Sequence, residues 1–135
     1  MGPTYYNTFI EVAEDCPVSQ AEIPQAKGEK KTKAVIEYEL IAKNPYKYSG
    51  DDIAFLAHAL HREIPKEHWA EERIKFFSQG QPCLRASALG KRYGWGTYHN
   101  EDGKVALIPL ESKEYNKFAN AAGLKHLKAM RSKKA

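Results

Sequence analysis

The segment between residues 85 and 99 holds the densest set of chemically useful side chains in this 135-residue sequence. Its candidate binding residues are Arg85, Lys91, Arg92, Tyr93, Trp95, Tyr98 and His99. The cations among them can attract phosphates, and the flat aromatic rings can stack on bases, which is worth about 1–3 kcal/mol per base. Guanidinium groups also match a carboxylate or a phosphate with two parallel hydrogen bonds. We therefore predict a binding module for an anionic ligand, with nucleic acid first and an anionic small molecule second.

The same residues have an ordinary structural explanation. Trp95 and Tyr98 can pack into the core while Lys91 and Arg92 stay in solvent. The two glycines that flank Trp95 allow a ligand to approach the backbone, and they equally allow a simple bend. The sequence leaves open whether these aromatic rings belong to a binding surface or to the core.

Cys83 is the candidate catalytic residue of an alternative function, a small enzyme or ligand-pocket protein that uses Cys83 with Arg85 and a histidine. A reactive thiol needs a pKa depressed by a nearby cation or a helix N-terminus. On a strand, Arg85 would share a face with Cys83 because it lies two residues further along. Cys16 and Cys83 are too few for a disulfide framework, and two reduced residues near the core are the ordinary alternative.

Metal and cofactor signatures are weak in this sequence. His58 and His61 lie three residues apart and can share one helix face, but a metal site needs three or four converging ligands. A phosphate-binding loop would need a hydroxyl where Arg92 follows Gly90 and Lys91, and a dinucleotide fingerprint would need a glycine in place of His99. We assign neither a metal nor a cofactor.

Composition indicates an ordinary folded chain, with 42% hydrophobic and 28% charged residues. We expect one domain over residues 1–135, in which residues 125–135 are a basic, frayed C-terminal segment that carries much of the net charge of +4. No apolar run approaches the roughly 18 residues of a spanning helix, and the start lacks a secretory signal pattern. These features predict no membrane partner and a cytoplasmic location, and they assign no oligomeric state.

Helix-start signals recur along the chain. Thr32 and Ser49 are expected to cap two helices, and Asp51 and Asp52 follow Ser49 in the first turn, where acids suit the helix dipole. Pro65 suits the first turn of a third helix. Ser112 is expected to cap a final helix through Phe118, which Gly123 ends or interrupts and whose apolar stripe continues at Leu124 and Leu127.

Strand signals lie near both ends of the chain. Residues 8–13 are rich in β-forming side chains, and two further β-rich runs flank an Asp-Gly pair at 102–103, which predicts a hairpin over 94–108. Strands and helices do not alternate in a βαβ rhythm. We therefore predict an α+β fold, a single compact domain in which about four helices pack on a small antiparallel sheet with a β-hairpin.

Several longer runs resemble a family of small bacterial and fungal proteins whose function is unknown. The resemblance covers nearly the whole chain, and the runs that carry it are 7–17, 44–49 with Asp51 and Asp52, 80–87, 91–96 and 129–132. It implies no activity, because none is assigned to that family. Residues 81–118 also resemble, more faintly, the YjbR-like double-wing proteins, which place a hairpin before a Ser-x-x-Tyr helix, here Ser112 to Tyr115.

Overall fold

The structure is a computed structural model that describes residues 4–26 and 28–132. Within these residues the chain forms a four-stranded sheet and five α-helices, which confirms the α+β class. The strands are β1 (Thr8–Glu11), β2 (Trp95–His99), β3 (Val105–Pro109) and β4 (Lys125–Lys128). The helices are α1 (Lys33–Ala42), α2 (Gly50–His61), α3 (Trp69–Phe77), α4 (Ala88–Lys91) and α5 (Lys113–Ala119), with 3-10 turns at Lys66–His68 and Leu84–Ala86.

The sheet has the strand order β3-β2-β1-β4. Strands β2 and β3 form the predicted hairpin, in which His99 pairs with Val105. Gly103 closes its turn at a φ of 78°, a left-handed value that favours glycine. Strand β1 pairs antiparallel with β2 and parallel with β4, so the sheet is mixed rather than purely antiparallel.

The C-terminal segment differs from its prediction. The helix expected from Ser112 through Phe118 ends at Ala119, and Lys125–Lys128, where Leu127 was expected to continue its apolar stripe, form β4 beside β1. The backbone N–H groups of Ala129 and Met130 donate to the carbonyls of Glu11 and Arg85, which anchors the chain beyond the strand. Residues 125–130 are therefore not a frayed end, and residues 133–135 of that prediction lie outside the described residues.

The predicted helix starts are confirmed by their side-chain caps. The Thr32 hydroxyl accepts from the Val35 N–H, and the Ser112 hydroxyl accepts from the Tyr115 N–H. Ser49 and Asp52 form a reciprocal capping box at the start of α2. No helix over residues 4–26 and 28–132 has the length and apolarity needed to cross a membrane.

Core packing occupies both faces of the sheet. On one face, Trp95 and Leu107 pack with the cluster that contains Ile41 of α1 and Ile53 of α2. On the opposite face, Phe9 and Ile108 pack with α5 residues. This alternation follows from the two-residue period of a strand.

Candidate functional site

Strand β2 separates the aromatic residues of the predicted cluster. Trp95 faces the helices α1 and α2, where its ring centroid lies 5.4 Å from that of Tyr38 and its indole N–H donates to the Glu22 carbonyl at 2.8 Å. Tyr98 faces the other side and stacks on Phe118 with a centroid distance of 4.3 Å. Both rings are therefore packed against protein neighbours.

His99 is a core residue with 0% exposure. Its Nε2 lies 3.1 Å from the Thr97 hydroxyl, and its Nδ1 has no hydrogen-bond partner among the described residues. Burial lowers its pKa to about 4, so the ring is neutral at neutral pH. The structure therefore places this predicted site residue away from any surface.

The remaining members of the cluster do not converge on one surface with these rings. Arg85 donates from Nε to the Lys128 carbonyl at 2.8 Å, beside the end of β4. Arg92 is exposed, whereas Lys91 and Tyr93 are half-buried at the end of α4 and just after it. The seven predicted residues are thus spread over both faces of the sheet and its edge.

A pocket of about 210 Å³ lies between α1, the start of α2 and the segment 82–88. Its polar lining residues are Lys33, Glu37, Cys83 and Ser87, and its apolar lining includes Ile53, Phe76 and Leu84. The pocket brings together one ammonium group, one carboxyl, one thiol and one hydroxyl. Among the predicted site residues, Cys83 is in its wall.

Glu37 is the buried polar group of this pocket, with 7% of its surface exposed. Its Oε1 accepts a hydrogen bond from the Ser87 hydroxyl at 2.8 Å, and that hydroxyl accepts from the Leu89 N–H at 3.1 Å. Within the described part of the chain, no donor bonds the other carboxyl oxygen, Oε2. Burial raises the pKa of Glu37, and the smaller effects of the Ser87 hydrogen bond and the Lys33 charge oppose this rise.

Lys33 supplies the positive charge of the pocket. It is exposed at the first turn of α1, one turn before Glu37, and its charge acts on that carboxyl through space. Across residues 4–26 and 28–132, Lys33 makes no ion pair. Its ammonium group is therefore available to a bound anion.

Cys83 contacts Tyr5, a residue that the sequence analysis did not single out. The Tyr5 hydroxyl oxygen lies 3.0 Å from Cys83 Sγ, and the Tyr5 ring meets His99 edge-on at 5.5 Å. Burial, followed by the hydrogen bond to Cys83, raises the pKa of Tyr5 to about 12, and the Arg85 charge opposes this. Tyr5 thus contacts Cys83 and His99 and is influenced by the Arg85 charge; a cysteine, an arginine and a histidine are the residue types of the predicted enzyme alternative.

The predicted placement of Arg85 on one strand face with Cys83 was wrong. Residues 84–86 form a 3-10 turn rather than a strand, so Arg85 does not share a strand face with Cys83. Its charge instead reaches Tyr5. Among the described residues, no group of three His, Cys, Asp or Glu side chains is arranged to hold a metal ion.

Of the two site residues that the sequence analysis missed, Glu37 and Tyr5, one has a signal in the sequence. Glu37 lies on the apolar stripe 34–37–41 of α1, so a carboxyl stands where a core residue is expected. Tyr5 has no comparable local signal, because its contact with Cys83 joins positions 78 residues apart.

The fold and the pocket together define a small α+β protein with a cavity of mixed polar and apolar lining between α1, α2 and residues 82–88. The sequence matches the model of a family of unknown function, DUF6157, over residues 2–135, and the protein belongs to this family. This confirms the resemblance to a family without an assigned function. Neither a curated protein nor a solved structure matches the chain.

Proposed function

We propose that the protein binds a small organic carboxylate in the pocket between α1, α2 and residues 82–88. The observation that carries this proposal is Glu37, a buried carboxyl that lines the cavity and whose Oε1 accepts from the Ser87 hydroxyl. Its other oxygen, Oε2, has no hydrogen bond among the described residues, so a ligand in the cavity can bond it.

The charge of the ligand follows from Glu37 and Lys33. Burial raises the pKa of Glu37, which favours the neutral carboxyl, and a neutral carboxyl can donate a hydrogen bond from Oε2. Lys33 supplies an ammonium group without an ion pair in the described residues. A carboxylate accepts from both groups, whereas a cationic amine requires an ionised Glu37 and is repelled by Lys33.

The size of the pocket limits the ligand. A cavity of about 150 Å³ holds benzene, and pockets for drug-sized ligands begin at about 300 Å³. At about 210 Å³, the pocket suits a molecule slightly larger than benzene. Ile53, Phe76 and Leu84 offer apolar surface to its body.

Nucleic-acid binding through residues 85–99 stays a prediction, with less support than the pocket. Arg92 is exposed and Lys91 is half-buried, so charge is present at this segment. Trp95 and Tyr98, however, pack against Tyr38 and Phe118, which leaves their faces less available for base stacking. Salt-sensitive oligonucleotide shifts confined to residues 85–99 would support it.

Three probes of nearly equal size test the proposed ligand class. Benzoate, benzamide and benzylammonium are titrated separately into the full chain at pH 6, and amide chemical shifts are recorded. We expect saturable benzoate shifts at residues 33–37, 50–54 and 83–88, with weaker effects from the other two probes. Lys33→Met should weaken benzoate binding by about fivefold, as expected for the loss of one partly exposed charge. Lys43→Met, at the other end of α1, is the matched control and should change nothing.

Two results would contradict this proposal. The absence of benzoate shifts at the pocket would reject the site. Stronger binding of benzylammonium, lost in Glu37→Gln, would reject the charge assignment because an ionised Glu37 would then be the recognition group. Glu37→Gln retains a donor in place of the neutral carboxyl, so benzoate binding should survive this substitution.

A further inference from the structure

The two cysteines of the chain stand in different surroundings at similar exposure. Both are free and half-buried. Cys83 lines the pocket together with Lys33 and Glu37, and its Sγ lies 3.0 Å from the Tyr5 hydroxyl oxygen. Cys16 packs instead against the apolar cluster of Ile10, Ala13 and Ala129. The chain therefore contains an internal reference thiol for any reaction at Cys83.

Tyr5 is placed to stabilise the reactive form of Cys83. The nucleophile is the thiolate, which has no proton to donate, so the hydroxyl of Tyr5 must be the donor when Cys83 is ionised. A hydrogen bond donated to a charged form favours that form. Arg85 adds positive charge near the same pair, and Lys33 adds it from the pocket side.

We propose that Cys83 is the nucleophile of this pocket and is alkylated by a small carboxylate that bears a leaving group on the carbon next to the carboxylate. The carboxylate part of this substrate class rests on the function proposed above. In the step, Cys83 Sγ forms a bond to that carbon, and the bond from the carbon to the leaving group breaks. The leaving group departs with the electron pair, and the thiol proton has already passed to water when the thiolate formed.

Lys33 and Glu37 hold the carboxylate in this arrangement, while Tyr5 acts as a positioning residue for the thiolate. Cys83 and the two carboxylate-binding side chains line the same cavity, so the bound ligand and Cys83 share one space. Ser87 fixes the Glu37 carboxyl through its hydrogen bond of 2.8 Å.

Iodoacetamide and iodoacetate separate the two parts of the proposal, because they share a leaving group and differ in charge. The full chain is treated with each reagent near neutral pH, and alkylation of Cys83 and Cys16 is followed by peptide mass spectrometry. With neutral iodoacetamide, Cys83 should react at least about threefold faster than Cys16, because the Tyr5 hydroxyl can donate to its thiolate. With iodoacetate, the ratio of the two rates should rise further.

Variants identify the groups responsible. Tyr5→Phe retains the ring beside His99 and should slow Cys83 alone, while moving the midpoint of its pH–rate profile to higher pH. An unchanged Cys16 rate shows that this variant is folded. Lys33→Met should remove the extra preference of Cys83 for iodoacetate over iodoacetamide, and Lys43→Met should behave as the unmodified chain.

A different result would contradict each part of the proposal. Equal iodoacetamide rates at the two cysteines in the unmodified chain would overturn the nucleophile, whatever benzoate does. An unmoved pH–rate profile in Tyr5→Phe would overturn the role of Tyr5. Fast iodoacetamide labelling of Cys83 without any added preference for iodoacetate would overturn the carboxylate substrate and the proposed ligand class together, and would leave a reactive thiol.

Discussion

Glu37 and His99 are two buried polar side chains: Glu37 Oε2 makes no hydrogen bond among the described residues, and His99 Nδ1 is a buried atom without a partner there. Burial favours the neutral form of both, so it raises the pKa of Glu37 and lowers that of His99 to about 4. Glu37 borders a cavity of about 210 Å³, whereas His99 has 0% exposure and lies against Tyr5 and Thr97. An unsatisfied atom beside empty space indicates a ligand site, and a sealed one only lowers stability.

The largest expected effect is a pH dependence of folding stability caused by His99, the fully buried residue. The pKa of His99 is about 4 in the folded chain against 6.5 ordinarily, so the unfolded state binds more protons between these values. Stability is therefore lost as the pH falls from 6.5 to 4, by at most about 3 kcal/mol. Urea unfolding at several pH values should show this decline, and His99→Gln should flatten it.

His58 is the control for His99, and the acidic groups act in a lower pH range. His58 is also lowered in pKa, by burial and then by the Arg62 charge, but it is less enclosed than His99. His58→Gln should therefore retain most of the decline. Carboxyl groups with lowered pKa lose their contribution only below their ordinary values; they are Glu39, Asp52 and Glu111. A decline that persists unchanged in His99→Gln would contradict the assignment.

A larger side chain should destabilise the protein more in the fully buried core than in the pocket. Ala57 and Ala54 lie one turn apart on α2; Ala57 has 0% exposure, and Ala54 lines the pocket. Ala57→Leu overpacks a sealed site and should cost about 2 kcal/mol, whereas Ala54→Leu should cost less than about 1 kcal/mol because it occupies empty space. Denaturant midpoints measure the difference, and Ala54→Leu should also abolish benzoate binding. Equal costs would show that the pocket is not hollow.

The remaining effect concerns Glu37 itself, and its direction follows from burial. Its folded pKa is raised above the ordinary value of 4.5, so the unmodified chain loses stability as the pH rises past that value. Glu37→Gln cannot ionise and should lack this loss, while its amide oxygen still accepts from Ser87. Urea unfolding from pH 4 to 8 compares the two chains. A relative gain of the unmodified chain toward high pH would show an anion stabilised in the pocket.

Local signals predicted much of the fold. The caps at Thr32, Ser49 and Ser112 and the hairpin turn at Gly103 depend on neighbouring residues, and the structure contains all four. Strand β4 was missed because an apolar residue such as Leu127 fits a helix stripe or a strand equally well. Its parallel pairing with β1 joins distant parts of the chain, which no local pattern encodes.

The site was less predictable than the fold, for two reasons. Cations and aromatic rings near one another in sequence looked like one surface, but the two-residue period of a strand puts Trp95 and Tyr98 on opposite faces. The pocket is formed by α1, α2 and residues 82–88, whose contacts are long-range. Cys83 was identified from its residue type alone, and Tyr5 and Glu37 became visible only with the fold.

The most direct test of the proposed carboxylate pocket is the NMR titration of the Glu37 carboxyl with and without saturating benzoate. If benzoate binds between Lys33 and the neutral Glu37 carboxyl, binding favours the protonated form, and the Glu37 midpoint must move to higher pH. Gln25, Lys43 and other residues distant from the pocket should show no benzoate-dependent change. A Glu37 midpoint that stays in place or moves to lower pH would contradict the proposed pocket chemistry.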